Sequence, residues 1–173
     1  MKKIIPLIIF IIIAVFLFIS LNSDPSKLPS PLLGKSFPNV KGKDFYSNDD
    51  VKVADLFENQ MTLVNVWASW CTTCRKEHQM MMTIAKNTDL QMLGINYKDT
   101  RVDGEKYLEV MGNPFDLIVF DPDGKIGIDL GVYATPETFL VNQDGLILYK
   151  HIGEIDSKVW KDNFAIHLNK SES

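Results

Sequence analysis

The sequence predicts an α/β domain with a mixed central sheet and helices on both faces, preceded by one N-terminal transmembrane helix. Three observations carry that prediction. One is a long apolar run near the N-terminus. Another is an alternation of strand-like and helix-like segments, βαβ and then ββα. The last is a tight-turn signal, Asn142-Gln-Asp-Gly145, between two β-forming stretches. At 173 residues the chain has room for one domain of ordinary size. With 46% hydrophobic and 23% charged residues it has a globular balance, which argues against wholesale disorder or a disulfide-stapled miniprotein.

From Ile4 to Leu21 only Pro6 and Ser20 interrupt the apolar residues, and Lys2 and Lys3 stand just before them. A helix of that length is roughly 27 Å long, close to the ~30 Å of bilayer hydrocarbon. Pro6 falls in its first turn, where the missing N–H had no partner anyway. A cleaved secretory signal would be shorter and would end in a small-x-small site, whereas this stretch ends Phe18-Ile-Ser-Leu-Asn-Ser-Asp24. Residues 1–21 therefore read as an uncleaved signal anchor, with the lysines cytoplasmic and the chain after Leu21 outside the cytoplasm. Residues 22–34, with Pro25, Pro29 and Pro31, read as a tether, and 35–173 as the folded domain.

Within the domain, Phe37 to Tyr46 has hairpin-like punctuation at Gly42, and Val53 to Phe57 suits a short helix. Met61 to Trp67 is a run of β-formers covered on both faces, and it predicts the central strand. Thr72 to Lys86 follows as a helix whose Met80, Met81, Ile84 and Ala85 share one side; these methionines read as core filling. Leu90 to Asn96 predicts a strand, Gly104 to Met111 a helix and Phe115 to Phe120 a strand. Phe139 to Val141 and Leu146 to His151 form the hairpin around the 142–145 turn. Ser157 to Leu168 closes the domain as an amphipathic helix.

The two cysteines of the chain stand as Cys71-Thr-Thr-Cys74, where the central strand gives way to a helix. At a helix N-terminus, unpaired backbone N–H groups and the macrodipole favour thiolate over thiol, so Cys71 is the expected nucleophile. Cys74, three residues on along the same face, is the more shielded sulfur and the expected resolving thiol. A purely structural disulfide is the alternative, yet so short a loop removes only about 2 kcal/mol of unfolded-state entropy. A zinc site built on Cys71, Cys74 and His78 lacks an evident fourth ligand. Haem attachment would need His directly after the second cysteine, where Arg75 stands. No metal and no cofactor beyond the dithiol is expected.

The stretch Val66-Trp-Ala-Ser-Trp-Cys-Thr-Thr-Cys-Arg-Lys-Glu-His78 resembles the active-site strand and helix of the thioredoxin superfamily. Its Arg-x-Glu-His tail is similar to that of the membrane-anchored thiol–disulfide interchange proteins of cytochrome c maturation, the CcmG/DsbE group. Gly94-Ile-Asn-Tyr-Lys-Asp99, Gly112-Asn-Pro-Phe115 and Gly131-Val-Tyr-Ala-Thr-Pro-Glu-Thr-Phe-Leu140 agree with that group. The resemblance implies a thioredoxin-like fold. It also implies that Pro136 is a cis-proline facing the cysteines and that Thr135 before it offers a backbone edge to an extended substrate. By the same resemblance Trp70 covers the nucleophile from the side, and Glu77 and Glu137 are acidic residues that tune the thiols. Asn65 stands where thioredoxin has a buried aspartate, so that proton acceptor is missing. His78, His151 and His167 read as packing or surface residues. Thr72, where the group usually has proline, and Ala134-Thr135, where it usually has Gly-Ala, depart from the pattern. The direction of electron flow is therefore less determined than the chemistry.

The net charge of −4 leaves no basic surface for nucleic-acid phosphates. Three basic residues but only one acidic residue precede Lys35, which leaves the domain more acidic than the chain as a whole. The function implied is a periplasmic disulfide reductase, tethered to the inner membrane. Its implied partners are apocytochrome c, whose CxxCH thiols it would keep reduced, and a transmembrane thiol reductase as electron donor. A general extracytoplasmic reductase, a copper metallochaperone using His151 or His167, and a peroxidase are the alternatives. The last two fit less well: the copper group spaces its cysteines by three residues, and the peroxidase Pro-x-x-x-Thr-x-x-Cys pattern is absent.

Overall fold

A computed structural model describes residues 5–21, 31–57 and 60–168. Helix α1 spans Ile5–Leu21, 17 residues, which is about 26 Å of helix. Among the described residues no helix is long and apolar enough to cross a membrane. The expected transmembrane helix is therefore not shown: α1 covers Ile5–Leu21 of the expected anchor, and residues 1–4 of it and 22–30 of the expected tether lie outside the described residues.

The domain is built on one seven-stranded sheet in the order β2-β1-β5-β4-β3-β6-β7. Its strands are β1 Lys41–Asp44, β2 Asp50–Lys52, β3 Thr62–Trp67, β4 Gln91–Tyr97, β5 Leu117–Asp121, β6 Glu137–Val141 and β7 Ile147–Ile152. β3, β4 and β5 run parallel, while β6, β7, β1 and β2 join antiparallel, so the sheet is mixed. Every residue of β3 is buried, as a strand covered on both faces must be. β4, not β3, occupies the geometric middle.

One face packs against α2 (Thr72–Asn87), α3 (Arg101–Met111) and the C-terminal helical segment. Leu63, Trp67, Met81, Ile84, Leu108 and Phe164 fill that layer. The other face packs against the 3₁₀ turn Val53–Leu56, α4 (Lys125–Asp129) and the entering chain, through residues such as Phe37, Val64, Val66, Ile126 and Phe139. The closing segment is not one regular helix: α5 (Ser157–Val159) and α6 (Ala165–Leu168) are joined by a π-helical turn, Trp160–Phe164.

Gly42 is not a turn residue. It lies inside β1, paired with Val51, because a Cβ there would collide with Val119 Cγ1 and come within 2.8 Å of Ile126 Cδ1. The reversal comes later, where Asp44 Oδ1 accepts from the Tyr46 and Ser47 N–H groups. α3 also begins earlier than the apolar pattern suggests. Thr100 caps it by accepting from Asp103 N–H at 3.1 Å while donating to the Asp103 carboxylate at 2.7 Å.

The chain enters the domain before residue 35. Leu32 packs against the second core layer, and Gly34 N–H donates to Ile147 O at 2.8 Å. Phe37 N–H donates to Gly145 O at 2.7 Å, so this segment is fastened at the β6–β7 turn.

Candidate functional site

The site begins where β3 ends. Trp67 is stacked between Tyr107 and Phe115, with ring centroids 5.4 and 5.6 Å away. Gly94 on β4 makes room for it, since a Cβ there would lie 2.8 Å from Trp67 Nε1. The loop that follows is held by Asp99, whose carboxylate accepts from Ser69 N–H at 2.6 Å, Ser69 Oγ at 2.8 Å and Asn96 Nδ2 at 3.0 Å. Arg75 donates to Ser69 O at 2.8 Å and stacks over the Tyr107 ring.

Cys71 and Cys74 form a disulfide with Cα atoms 5.2 Å apart. Cys71 is the N-cap of α2, and its Sγ accepts from the Cys74 backbone N–H at 3.0 Å. A donor already aimed at the sulfur is what stabilises negative charge there once the disulfide opens. Both cysteine residues are buried in the disulfide form, Cys71 4% and Cys74 3% exposed. Trp70 does stand out into solvent, 58% exposed, and its indole N–H donates to Lys98 O at 2.9 Å. It flanks a cleft of about 580 Å³ that Arg75, Lys98, Tyr107 and Val110 also line.

Opposite the disulfide lies the loop before β6. The Thr135–Pro136 peptide is cis, Pro136 is buried and Thr135 half-buried. Thr135 O is 3.5 Å from Cys71 Sγ.

Beneath the disulfide are two buried polar side chains. Asn65 on β3 donates to Glu77 Oε1 at 2.9 Å and to Thr138 Oγ1 at 3.0 Å. Glu77 Oε2 accepts from Ile155 N–H at 2.9 Å. Glu77 is one turn beyond Cys74 on the same buried face of α2. Burial pushes its carboxyl up to about 7, against the opposing hydrogen bonds from Ile155 and Asn65. A carboxyl with a pKa near neutrality thus stands on the helix, hydrogen-bonded to Asn65.

Glu137 is not part of this cluster. It pairs across the sheet with Val66, whose side chain lies in the opposite core layer, whereas Asn65 pairs with Thr138. Strand alternation therefore puts Glu137 on the far face from Glu77. There it is fully buried, with Oε2 2.8 Å from Lys150 Nζ and Oε1 accepting from Tyr133 N–H at 2.7 Å.

His78 is a buried packing residue. Its Nε2 is 3.0 Å from Gly112 O and its Nδ1 2.9 Å from Tyr107 OH, so both ring nitrogens are engaged between α2 and α3. Burial holds the ring below its ordinary pKa, which keeps it neutral. His151 Nε2 is 3.1 Å from Glu154 O, and His167 stacks on Tyr149. Among the described residues no group of three His, Cys, Asp or Glu side chains is assembled to hold a metal. Asp99 and Tyr107 are residues beside the site that sequence reasoning missed. Asp99 ends the Gly94–Asp99 segment, but nothing in its own spacing shows that it reaches back to Ser69.

Residues 32–164 match the Redoxin family. A thiol:disulfide interchange protein DsbE from Allochromatium vinosum is 43% identical over 161 residues, covering 93% of this chain and 89% of that protein. The protein of the same name from Escherichia coli K12 is 41% identical over 164 residues, covering 91% and 88%. The fold is shared with a DsbF homologue from Corynebacterium diphtheriae, at a TM-score of 0.67 and 18% identity, over 86% of this chain and 96% of that one. A capped cysteine pair against a cis-proline loop, on a chain this similar to interchange proteins, leaves one conclusion: it belongs to the Redoxin family, within its thioredoxin-like branch, and is a thiol–disulfide oxidoreductase.

Proposed function

We propose that this oxidoreductase works in the periplasm, tethered to the inner membrane, and reduces the CxxCH disulfide of apocytochrome c before haem is attached. Its own disulfide would be returned to the dithiol by a transmembrane thiol reductase. The observation that carries the reading is the placement of Thr135 O 3.5 Å from Cys71 Sγ, beside an exposed Trp70. An extended polypeptide pairing with that loop would bring its own disulfide onto Cys71. The reductive direction and the cytochrome substrate rest on the resemblance carried by the Val66–His78 and Gly131–Leu140 segments. Membrane attachment rests on the sequence, the apolar run from Ile4 to Leu21 with Lys2 and Lys3 before it.

In the reduced protein the Cys71 thiolate attacks one sulfur of the substrate disulfide. That S–S bond breaks, a mixed disulfide forms and the substrate's other sulfur leaves as thiolate. Cys74 then loses its proton, for which Glu77 one turn below is the acceptor, and attacks Cys71 Sγ. The second substrate sulfur leaves, the Cys71–Cys74 bond forms, and two electrons have passed to the substrate. Asn65 steadies the carboxylate throughout by donating to Oε1.

Trapping tests the substrate. With Cys74→Ser in the full chain, mixed disulfides should accumulate in intact cells on Cys71. Recovery of c-type apocytochromes is the expected result; a broad set of envelope proteins would replace this reading with a general reductase. Retention of the full chain in carbonate-washed membranes checks the anchor.

A further inference from the structure

Glu137 and Lys150 form an ion pair in the core, with side chains 0% and 4% exposed. Such a pair is a weak source of stability, because two apolar side chains would fill the space without the desolvation cost. What apolar residues could not do is reach backbone. Glu137 Oε1 accepts from Tyr133 N–H at 2.7 Å and from Ala134 N–H at 3.3 Å. Lys150 Nζ donates to Gly131 O at 2.9 Å and lies 5.5 Å from the Tyr133 ring. Three backbone groups of one short loop are therefore held from behind the sheet by two side chains that never reach the surface. That loop ends in Thr135, and it leaves Tyr133 77% exposed.

We propose that Glu137 and Lys150 are positioning residues for the polypeptide substrate. They fix residues 131–134 so that the Thr135 backbone and the Tyr133 ring form one wall of the substrate-binding edge beside Cys71. The inference rests on the reading that an extended polypeptide pairs with the Thr135 backbone. It replaces thiol tuning as the role of Glu137: the pair acts on substrate docking and leaves the sulfur chemistry alone.

The test uses two oxidised probes with the reduced protein: a Cys-Ala-Ala-Cys-His peptide with an internal disulfide, and hydroxyethyl disulfide, which is too small to pair with the loop. In Glu137→Gln/Lys150→Met, KM for the peptide should rise about tenfold, the loss expected for a displaced backbone hydrogen bond. The rate with hydroxyethyl disulfide should stay within about twofold, well inside the ~1.4 kcal/mol that a tenfold change represents. Lys150→Arg, which keeps the cation and its donors, should restore the peptide KM. Amide exchange at Tyr133 and Ala134 should quicken while that of β3 does not. Equal slowing with both probes, or no change with either, overturns the proposal. If the double variant fails to fold, Glu137→Asp, which keeps the charge but shortens its reach to Tyr133 N–H, is held to the same two outcomes. A peptide N-methylated beside its first cysteine separates the parent reading. No penalty for methylation in the unmodified protein removes backbone pairing itself, whereas a penalty with no effect of Glu137→Gln/Lys150→Met removes the positioning role alone.

Discussion

The Asn65 amide donates to Glu77 Oε1 at 2.9 Å, strand to helix, in the layer beneath the Cys71–Cys74 disulfide. An amide takes up no proton at Asn65, and a carboxyl poised near neutrality does so at Glu77. The titratable group of that layer stands on α2, with the β3 residue as its hydrogen-bond donor.

Stability should follow that carboxyl. Unfolded, Glu77 has its ordinary value of 4.5; folded, it is held near 7. Between the two the folded chain binds the extra proton, so stability falls as pH rises from about 4.5 to about 7 and levels off above. The full swing is on the order of 3 kcal/mol. Glu77→Gln should flatten it in urea titrations at stepped pH. The difference between the two profiles isolates Glu77, because the lowered pKa of His78 gives both a slope of opposite sign. Parallel profiles would mean that Glu77 does not hold a proton on folding.

Resolution should slow in the same variant. A lost general base costs on the order of a hundredfold, so the mixed disulfide on Cys71 should persist in single-turnover acid quench, while its formation keeps its rate. Equal effects on both steps would point to a disturbed α2 instead.

His78→Ala removes the bridge between α2 and α3 and leaves Gly112 O without its 3.0 Å partner. Cavity and lost hydrogen bond together should cost about 3 kcal/mol. The midpoint of urea unfolding reads this directly, and a loss below about 1 kcal/mol, the worth of a single net hydrogen bond, would contradict it.

Thr72→Pro should stabilise the oxidised protein by about 0.5–1 kcal/mol. Thr72 is the first residue of α2, where proline is tolerated, and Cys71 before it already has φ −79° and ψ 111°, the extended geometry that proline asks of its predecessor. Calorimetry of the two proteins decides it; a lower Tm would show that the Thr72 N–H is needed.

How far the sequence could be read depended on whether a signal was local. β3 was legible because a strand covered on both faces is a plain apolar run. α2 was legible from its helix formers, and the cysteines from their position between the two. The buried side of α2 was only half legible. Cys74, Glu77, His78, Met81 and Ile84 share it, but a hydrophobic pattern passes over Glu and His. The side of the sheet taken by Glu137 follows from its pairing with Val66, a register that no local pattern reveals. Gly42 misleads for the same reason, since its cause is Val119 and Ile126 on distant elements. The Thr100–Asp103 cap that starts α3 was missed, because the apolar pattern used to place that helix begins only at Gly104.

The attachment of the entering chain at Gly34 and Phe37 has a geographic consequence. β3 delivers Cys71 from its C-terminal tip, while Val141, ahead of the turn to which that chain is fastened, pairs with Thr62 at the strand's opposite tip. Some 20 Å of strand separates the two. The entering chain thus grips the domain by its heel, and the reactive toe is the end left clear of that attachment.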